Sequence, residues 1–200
     1  MGQVVYMFTY SQGATPLDPD ELEGLKFPHV DTKSELDQLE QQNIQEGLIW
    51  LEKQRKYKDF INESFARELH KQLFGSVWDW AGKFRLSDKN IGVDYLVIGV
   101  KLKDLFDDAN YWVENRIYNK EEFAAKFHHK LVLIHPFPNG NGRHARIMTD
   151  IILEKYLKES PIKWGGDSLI SDSDHRKHYI DALRMADKGD YQSLIEFISR

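Results

Sequence analysis

The chain contains no cysteine among its 200 residues. Disulfide bonds and cysteine-based metal sites are therefore excluded, which suits a reducing compartment. Long apolar runs are also missing, since no segment reaches the roughly 20 apolar residues that a membrane-spanning helix needs. The first residues lack the basic start and apolar run of a signal peptide. We therefore expect a soluble, cytoplasmic protein without a membrane partner.

Positive charge is in deficit, with a formal net charge of -5 at pH 7. General nucleic-acid binders carry a net positive face, so we expect no direct nucleic-acid partner. The hydrophobic content of 41% and charged content of 30% are typical of a globular protein. A chain of this length fits one domain and buries about 70% of its unfolded surface.

The spacing of apolar residues predicts a mainly α fold. Residues 1–33 scatter glycine and proline too densely for a long helix, so we expect an N-terminal arm that packs on the body. Residues 34–200 then form a single globular domain. A glycine-broken, β-branched stretch at 90–98 predicts a small β-hairpin. Helices are expected at about 34–55, 59–74, 101–114, 120–134, 146–157, 174–189 and 190–199.

One stretch stands out, "HPFPNGNGRHAR" at residues 135–146. Asn-Gly pairs are usually plain surface turns. Here, however, apolar runs on both sides predict two core helices that hold the loop rigidly. A glycine-rich loop entering a helix points several N–H groups the same way and forms an anion site. Arg143 and Arg146 share one face of the following helix, and arginine suits bidentate phosphate contacts.

His135 stands directly before this loop. A histidine at the end of a core helix is more often structural than catalytic, but beside an anion site it can act as a general base. A dinucleotide fold is improbable because the lone GNG lacks a third glycine and a preceding strand, and no Walker lysine follows. The histidines lack the spacing of a zinc site. Phosphoryl or nucleotidyl transfer is the chemistry that the pattern favours.

The stretch resembles the signature of Fic-domain proteins, His-x-Phe-x-(Asp/Glu)-Gly-Asn-Gly-Arg-x-x-Arg. "LHKQLFGSVWDWAGKFR" is similar to the segment that precedes the family's hairpin, and "YIDALRMADKGDYQSLIEFI" to its C-terminal end. More narrowly, "GATPLDPDELEGL", "EQQNI" and "DKNIGVD" resemble the subgroup called mobile mystery protein B. The resemblance implies a helical Fic fold and transfer of AMP from ATP to a Ser, Thr or Tyr hydroxyl of a target protein.

The resemblance also implies roles for single residues. His135 is the base, Phe137 anchors the loop, and Arg143 and Arg146 bind the phosphates, the latter the γ-phosphate. The anion cradle for the nucleotide consists of Gly140, Asn141 and Gly142. The hairpin corresponds to a flap that binds the target as an added strand, and its expected contact residues are Asn90, Ile91, Gly92, Val93 and Asp94.

Asn139 departs from the motif, which has Asp or Glu at the position that holds Mg²⁺. A carboxamide is a weaker ligand than a carboxylate, so a loss of roughly one to three decades in rate is conceivable. The alternative is therefore a catalytically weak or inactive nucleotide-binding or interaction module. A kinase is a third reading, although Doc-type kinases have Lys in place of Gly142.

Many Fic proteins are inhibited by a helix with the pattern Ser/Thr-x-x-x-Glu-Gly/Asn, whose glutamate pairs with the second motif arginine. "QNIQEG" matches this pattern in part. A helical wheel places Glu40 inside the apolar face and Glu46 at its margin. Both are candidates to pair with Arg146. The alternative is that each makes only a local salt bridge or caps a helix. The subgroup resemblance offers another inhibitor, a companion helix-turn-helix protein, which would make this chain the toxin-like half of a pair.

Overall fold

The computed structural model describes residues 16–54, 59–164 and 173–199, and helices dominate these ranges. A 3-10 turn at Tyr95–Val97 leads into the fourth helix, and a π-helical turn at Leu153–Leu157 extends the sixth. The mainly α fold expected from the sequence is confirmed. The helices in the described ranges are α1 (Pro19–Leu22), α2 (Lys33–Glu52), α3 (Glu63–Phe74), α4 (Ile98–Glu114), α5 (Lys120–Ile134), α6 (Asn141–Ile152), α7 (Ser173–Ala186) and α8 (Gln192–Ile198).

Side-chain caps set the starts of three of these helices. Thr32 accepts a hydrogen bond from the N–H of Glu35 at the start of α2. Asn62 does the same for α3, which therefore begins four residues later than the expected residue 59. Asn119 caps α5 in a full capping box. Local sequence thus determines where the chain enters each helix.

The β-hairpin expected at residues 90–98 is not formed. This stretch consists of bends and the 3-10 turn, and the single β-bridge in the described ranges joins Leu25 to Trp78. Gly92 has φ +116, and the carbonyl of Val93 accepts from the side chain of Arg85. A guanidinium thus occupies a carbonyl that a hairpin ladder would use, which explains the difference from the prediction.

Helices α5 and α6 form the centre of the core. Phe123 and Phe127 of α5 are buried, and their rings stack with centroids 5.7 Å apart. Met148 and Ile152 of α6 are fully enclosed. Helix α5 also packs against α4 and α8, whereas α2 packs against α3. Burying each such side chain contributes about 1.5–3 kcal/mol, so the loop joining α5 to α6 is held between two firmly packed helices.

The described part of the N-terminal arm, residues 16–32, packs on the body. Leu17 is buried in the core. The N–H of Lys26 donates to the carbonyl of Val77 over 2.9 Å, and the N–H of Asp79 donates to the carbonyl of Gly24 over 2.9 Å. Residues 1–15 of the expected arm lie outside the described residues. None of the helices in the described ranges has the length and apolar character needed to cross a membrane.

Several histidines lie in the core in a neutral state. Burial lowers the pKa of His70 and of His128 well below the ordinary value. Burial also lowers the pKa of His144 to about 4, against an opposing hydrogen bond to the carbonyl of Ala66. Unfolding exposes these rings to water, where they regain an ordinary pKa near 6.5. Unfolding below that pH therefore takes up protons.

Because these histidines are buried in the neutral form, we predict that the free energy of unfolding decreases as the pH is lowered. Between pH 7 and pH 5 the unfolded chain binds a proton at each such histidine while the folded chain does not, so the free energy of unfolding decreases. A pKa of about 4 for His144 corresponds to a loss of about 2 kcal/mol over this range. His144→Gln, which can keep the bond to Ala66, should flatten the dependence measured by urea unfolding at both pH values. The exposed His29 provides the control His29→Gln. Equal pH dependence in His144→Gln and the parent would contradict this account.

Candidate active site

The loop at residues 135–140 connects α5 to α6 through two left-handed positions. His135 ends α5 with φ +53 and ψ +60, and Gly140 precedes α6 with φ +76. A Cβ atom at Gly140 would lie 2.6 Å from Cζ of Phe74, so packing as well as backbone conformation requires glycine there. The turn between the two core helices therefore has one defined shape.

Asn141 fixes the inside of this turn. Its Oδ1 accepts from the N–H of Phe137 over 2.9 Å, and its Nδ2 donates to the carbonyl of Phe137 over 2.7 Å. Both residues are buried. The side chain of Asn141 is thus committed to the loop itself, so only its main-chain N–H remains for the expected anion cradle.

His70 of α3 also supports the loop, through contacts with Asn139 and Phe137. No role for this residue was predicted from the sequence. The N–H of Gly82 donates to His70 Nδ1 over 3.0 Å, so the proton lies on Nε2, which donates to the carbonyl of Asn139 over 3.0 Å. The ring stacks on Phe137 with centroids 3.7 Å apart. His70 lies in the stretch that resembles the family, but no local pattern marks it as a contact of the loop.

His135 is neutral at physiological pH. Its side chain is buried, and its pKa is lowered to about 4, first by that burial and then by the nearby positive charge of Arg85, against a hydrogen bond with the backbone of Val132. The guanidinium of Arg85 also donates through Nε to the carbonyl of His135 over 2.6 Å. A neutral imidazole can accept a proton, so the state needed for a base is the resting one.

Asn139 offers a poor metal site. Its Oδ1 accepts from the N–H of Gly140 over 2.6 Å, so the oxygen that would bind a cation is already engaged. Within the described residues no group of three His, Cys, Asp or Glu side chains could hold a metal ion. The residues present do not fit a resident Mg²⁺.

The first turn of α6 is shaped for an anion. No side chain of the described residues caps it, whereas α2, α3 and α5 are capped by Thr32, Asn62 and Asn119. A Cβ added at Gly142 would meet no atom within 4 Å, so the protein itself does not require glycine there. Free N–H groups at a helix start, beside open space, form a site for a phosphate or carboxylate.

Arg143 pairs with Glu40 rather than standing free. Its Nη1 lies 2.7 Å from Oε2 of Glu40, and its guanidinium lies over the ring of Phe74 at 4.8 Å. The other carboxylate oxygen of Glu40 accepts from Nε1 of Trp78 over 2.7 Å. Glu40 is only 2% exposed, whereas Arg143 is 30% exposed. A buried acid therefore holds a partly open arginine at the start of α6.

Arg146 lies deeper than Arg143. Burial lowers its pKa, and the positive charges of Arg143 and Arg176 act in the same direction, whereas Tyr179 and Asp150 oppose them. Three arginines from α6 and α7 thus concentrate positive charge on one side of the loop. Such a cluster favours an anionic ligand.

The two expected inhibitory glutamates have different positions. Glu40 reaches a motif arginine, but that arginine is Arg143 and not the expected Arg146. Glu46 is exposed, and its Oε1 accepts from Nε2 of Gln42 one turn earlier in α2. The structure therefore does not bring Glu46 to the loop, and the helical-wheel position of Glu40 was the informative one.

The flap segment, defined here as residues 86–97, covers His135. A Cβ at Gly92 would lie 2.9 Å from Cβ of His135, which measures how closely the two backbones approach. Val93 is partly buried against the core. The other expected contact residues are exposed, namely Asn90, Ile91, Gly92 and Asp94. The flap thus lies beside the imidazole with its outer side open.

Lys89 ties the flap segment to the N-terminal arm. Its side chain is only 3% exposed, and its Nζ lies 2.7 Å from Asp18 and 2.5 Å from Glu21. Ser87 also donates to Asp18. No local sequence pattern marks Lys89, because its two partners lie about 70 residues away.

Comparison with known proteins agrees with this geometry. Residues 60–153 match the sequence model of the Fic/DOC family. The protein adenylyltransferase Fic of Aedes aegypti is 30% identical over 145 residues, covering 70% of this chain and 28% of that relative. The structure of Fic-1 from C. elegans gives a TM-score of 0.66 at 25% identity, over 88% of this chain and 51% of that chain. BepC from Bartonella tribocorum with bound AMPPNP gives 0.64 at 19% identity, over 94% and 92%.

A helical domain built around one glycine-rich loop is the class that fold and site define, and residues 60–153 of the chain form a domain of the Fic/DOC family. It spans less than a third of the length of the curated relative from Aedes aegypti. The narrower resemblance to mobile mystery protein B stays a prediction.

The two loop glycines should respond differently to alanine. Gly140→Ala should lower the free energy of unfolding by about 1–3 kcal/mol, because the left-handed backbone and the ring of Phe74 both oppose a Cβ. Gly142→Ala should leave it within about 1 kcal/mol of the parent, since the added Cβ meets open space. Denaturant unfolding measures both. Equal destabilisation by the two changes would show that Gly142 is required for packing.

Proposed function

We propose that the protein transfers AMP from ATP to a Ser, Thr or Tyr hydroxyl of a target protein. One observation carries this proposal: a buried, neutral His135 lies at the end of α5, and the uncapped start of α6 faces open space at Gly142 across the same loop. The adenylyltransferase names of the relatives support it.

The reaction needs a base and an anion site. The target hydroxyl oxygen forms a bond to the α-phosphorus of ATP, the bond from that phosphorus to the β-phosphate bridge breaks, and pyrophosphate leaves. His135 accepts the hydroxyl proton. Its pKa of about 4 belongs to the site without a nucleotide. Negative phosphates nearby raise the pKa of an imidazole, which strengthens the base when the substrate is bound.

Two kinds of group in and after the loop would bind the nucleotide phosphates. The N–H groups of Gly140, Asn141 and Gly142 form the cradle, while the guanidinium groups of Arg143 and Arg146 bind phosphate oxygens. Arg143 keeps part of its surface open while paired to Glu40. Arg146 is half-buried, so its interaction with a phosphate would be only partly screened.

Asn139 limits what the chain contributes to a magnesium ion. Mg²⁺ prefers charged oxygen ligands and near-octahedral geometry. The engaged carboxamide of Asn139 supplies neither the charge nor a free oxygen. Any Mg²⁺ used with ATP would be held mainly by phosphates and water, and we assign the chain's own residues no step through it.

The flap segment is the proposed contact for the target. Its exposed residues Asn90, Ile91 and Asp94 flank Gly92, which approaches His135, and main-chain pairing there would place a hydroxyl without reading much sequence. The target itself, and a companion helix-turn-helix protein, stay predictions.

A second candidate function is a nucleotide-binding or interaction module with little or no transfer activity, which would make the chain the toxin-like half of a two-protein system. The engaged carboxamide of Asn139 favours it. Phosphorylation is less favoured, because the position at which Doc-type kinases carry lysine is Gly142.

A labelling experiment separates these candidates. The protein is incubated with ATP labelled at the α-phosphate or the γ-phosphate, Mg²⁺ and a lysate, alongside His135→Ala and Asn139→Asp. We expect α-label on protein with the parent, about 100-fold less with His135→Ala, and more with Asn139→Asp.

The other outcomes are equally informative. Nucleotide binding without label, in both the parent and Asn139→Asp, would reject transfer and leave the binding module. Label from the γ-phosphate alone would identify a kinase. Label only with Asn139→Asp would show that the metal ligand limits the natural chain.

Glu40 is the proposed inhibitory residue. Its carboxylate neutralises Arg143, so nucleotide phosphates must compete with it for that guanidinium. Glu40→Gln keeps an oxygen for Trp78 but removes the charge. We expect ATP to bind about 3- to 10-fold more tightly, which corresponds to the roughly 1 kcal/mol of a partly exposed ion pair. Isothermal titration calorimetry measures this.

Glu46→Gln is the matched control, because Glu46 lies on the exposed side of the same helix. It should bind ATP as the parent does. Weaker binding by Glu40→Gln would mean that Glu40 orients Arg143 for the phosphate instead of competing with it.

A further inference from the structure

Arg85 is a buried cation whose contacts are mostly main-chain carbonyls. The residue is 1% exposed. Its Nε donates to the carbonyl of His135, its Nη1 to that of Ser87 over 2.7 Å, and its Nη2 to those of Val93 and, over 3.5 Å, Ile134. One rigid guanidinium therefore joins the end of α5 to two points of the flap segment, Ser87 near its start and Val93 in its interior.

The main chain of Arg85 makes a further connection. Its N–H donates to the carbonyl of Pro136 over 3.0 Å. The nearest acid is Asp88, 3.5 Å away and 65% exposed, so this ion pair is largely solvated. A buried guanidinium needs its donors satisfied, and here carbonyls of the loop and of the flap supply most of the acceptors.

Gly92 completes this contact. A Cβ there would lie 2.7 Å from Nη2 of Arg85 and 2.9 Å from Cβ of His135. The flap backbone thus rests on the guanidinium and on the base at one point. Displacing either partner would displace the flap.

We propose that Arg85 is a positioning residue that sets the flap segment and the main chain of His135 in one arrangement, so that the target strand and the base are aligned together. This inference rests on the proposed function for the role of His135. The planar fork of arginine is what the arrangement requires, since a lysine can supply the charge but not several donors in one plane.

The test compares Arg85→Lys with Arg85→Met by hydrogen exchange and by NMR titration of His135, neither of which requires AMP transfer. Two amides report on the arrangement: that of residue 85, which donates to Pro136, and that of Tyr95, which donates over 3.0 Å to the Asp88 carboxylate oxygen facing Arg85. In both variants these amides should exchange about tenfold faster or more, the effect of losing a charge-assisted hydrogen bond. In Arg85→Met the pKa of His135 should also rise, because a neighbouring cation is gone. Arg85→Lys keeps the charge, so its titration should stay closer to that of the parent.

Two controls define the result. Arg67 also donates to a main-chain carbonyl, that of Gly82, without touching His135, so Arg67→Lys should leave the flap exchange and the titration unchanged. Lys89→Met removes the weaker cation that acts on His135 while keeping every bond of Arg85. It should shift the pKa of His135 less than Arg85→Met does.

The transfer assay then connects the geometry to function. If the parent transfers AMP, Arg85→Lys should lower kcat about 10- to 100-fold, the effect of a misplaced base, with little change in KM for ATP. If the parent transfers nothing, the exchange and titration experiments still decide the role of Arg85.

Folded Arg85 variants that exchange at parental rates throughout residues 85–97 would overturn the inference. If Arg85→Met does not fold, Gly92→Ala provides the second test, because its Cβ pushes on the guanidinium without removing charge. Because the φ of +116 at Gly92 loosens the flap itself in this variant, the deciding amide is that of Arg85, which donates to Pro136 outside the flap. Faster exchange of this amide supports the coupling, and unchanged exchange rejects it.

Discussion

The loop between α5 and α6 is buried backbone that is neither helix nor strand, and every other feature of the site depends on how its polar groups are satisfied. The side chain of Asn141 bonds the N–H and the carbonyl of Phe137. His70 bonds the carbonyl of Asn139, and Arg85 bonds the carbonyl of His135. These partners come from α6, α3 and the segment before the flap. The shape of the anion site is therefore a tertiary property, although its residues are consecutive.

Charge around the loop is arranged in the same distributed way. The chain is acidic overall, yet the cations Arg85, Lys89 and Arg143 gather beside one turn. Each is matched differently: Arg85 by carbonyls, Lys89 by acids of the arm, and Arg143 by Glu40. The first two are buried and committed to structure, whereas the third keeps exposed surface. A partly exposed guanidinium such as that of Arg143 can exchange its partner for a ligand, whereas Arg85 is held by main-chain carbonyls, and the sequence alone does not separate these two roles.

Consecutive features were predictable, and distant ones were not. The turn that holds His135 and the glycines lies between two helices, as predicted, because a turn between two apolar runs is a local pattern. The roles of these residues stay predictions. His70 and Arg85 were missed because their contacts with the loop lie 69 and 50 residues away. The amphipathic pattern predicts Glu40 on the inner face of α2. Which arginine it pairs with, Arg143 or Arg146, depends on how α2 packs against the loop, and this is not readable from the sequence. The predicted hairpin is wrong because β-propensity assumes a partner strand, whereas the carbonyl of Val93 accepts from the side chain of Arg85.

The ion pairs of Lys89 show that residues upstream of the family match help to hold the flap segment. The family match covers residues 60–153, but the two acids that pair with this buried ammonium group, Asp18 and Glu21, lie upstream of it. A fragment cut at the family boundaries would lose both acids that pair with this ammonium group, and with them the tie between the flap segment and the arm. The family match is therefore shorter than the set of residues that holds the flap in place.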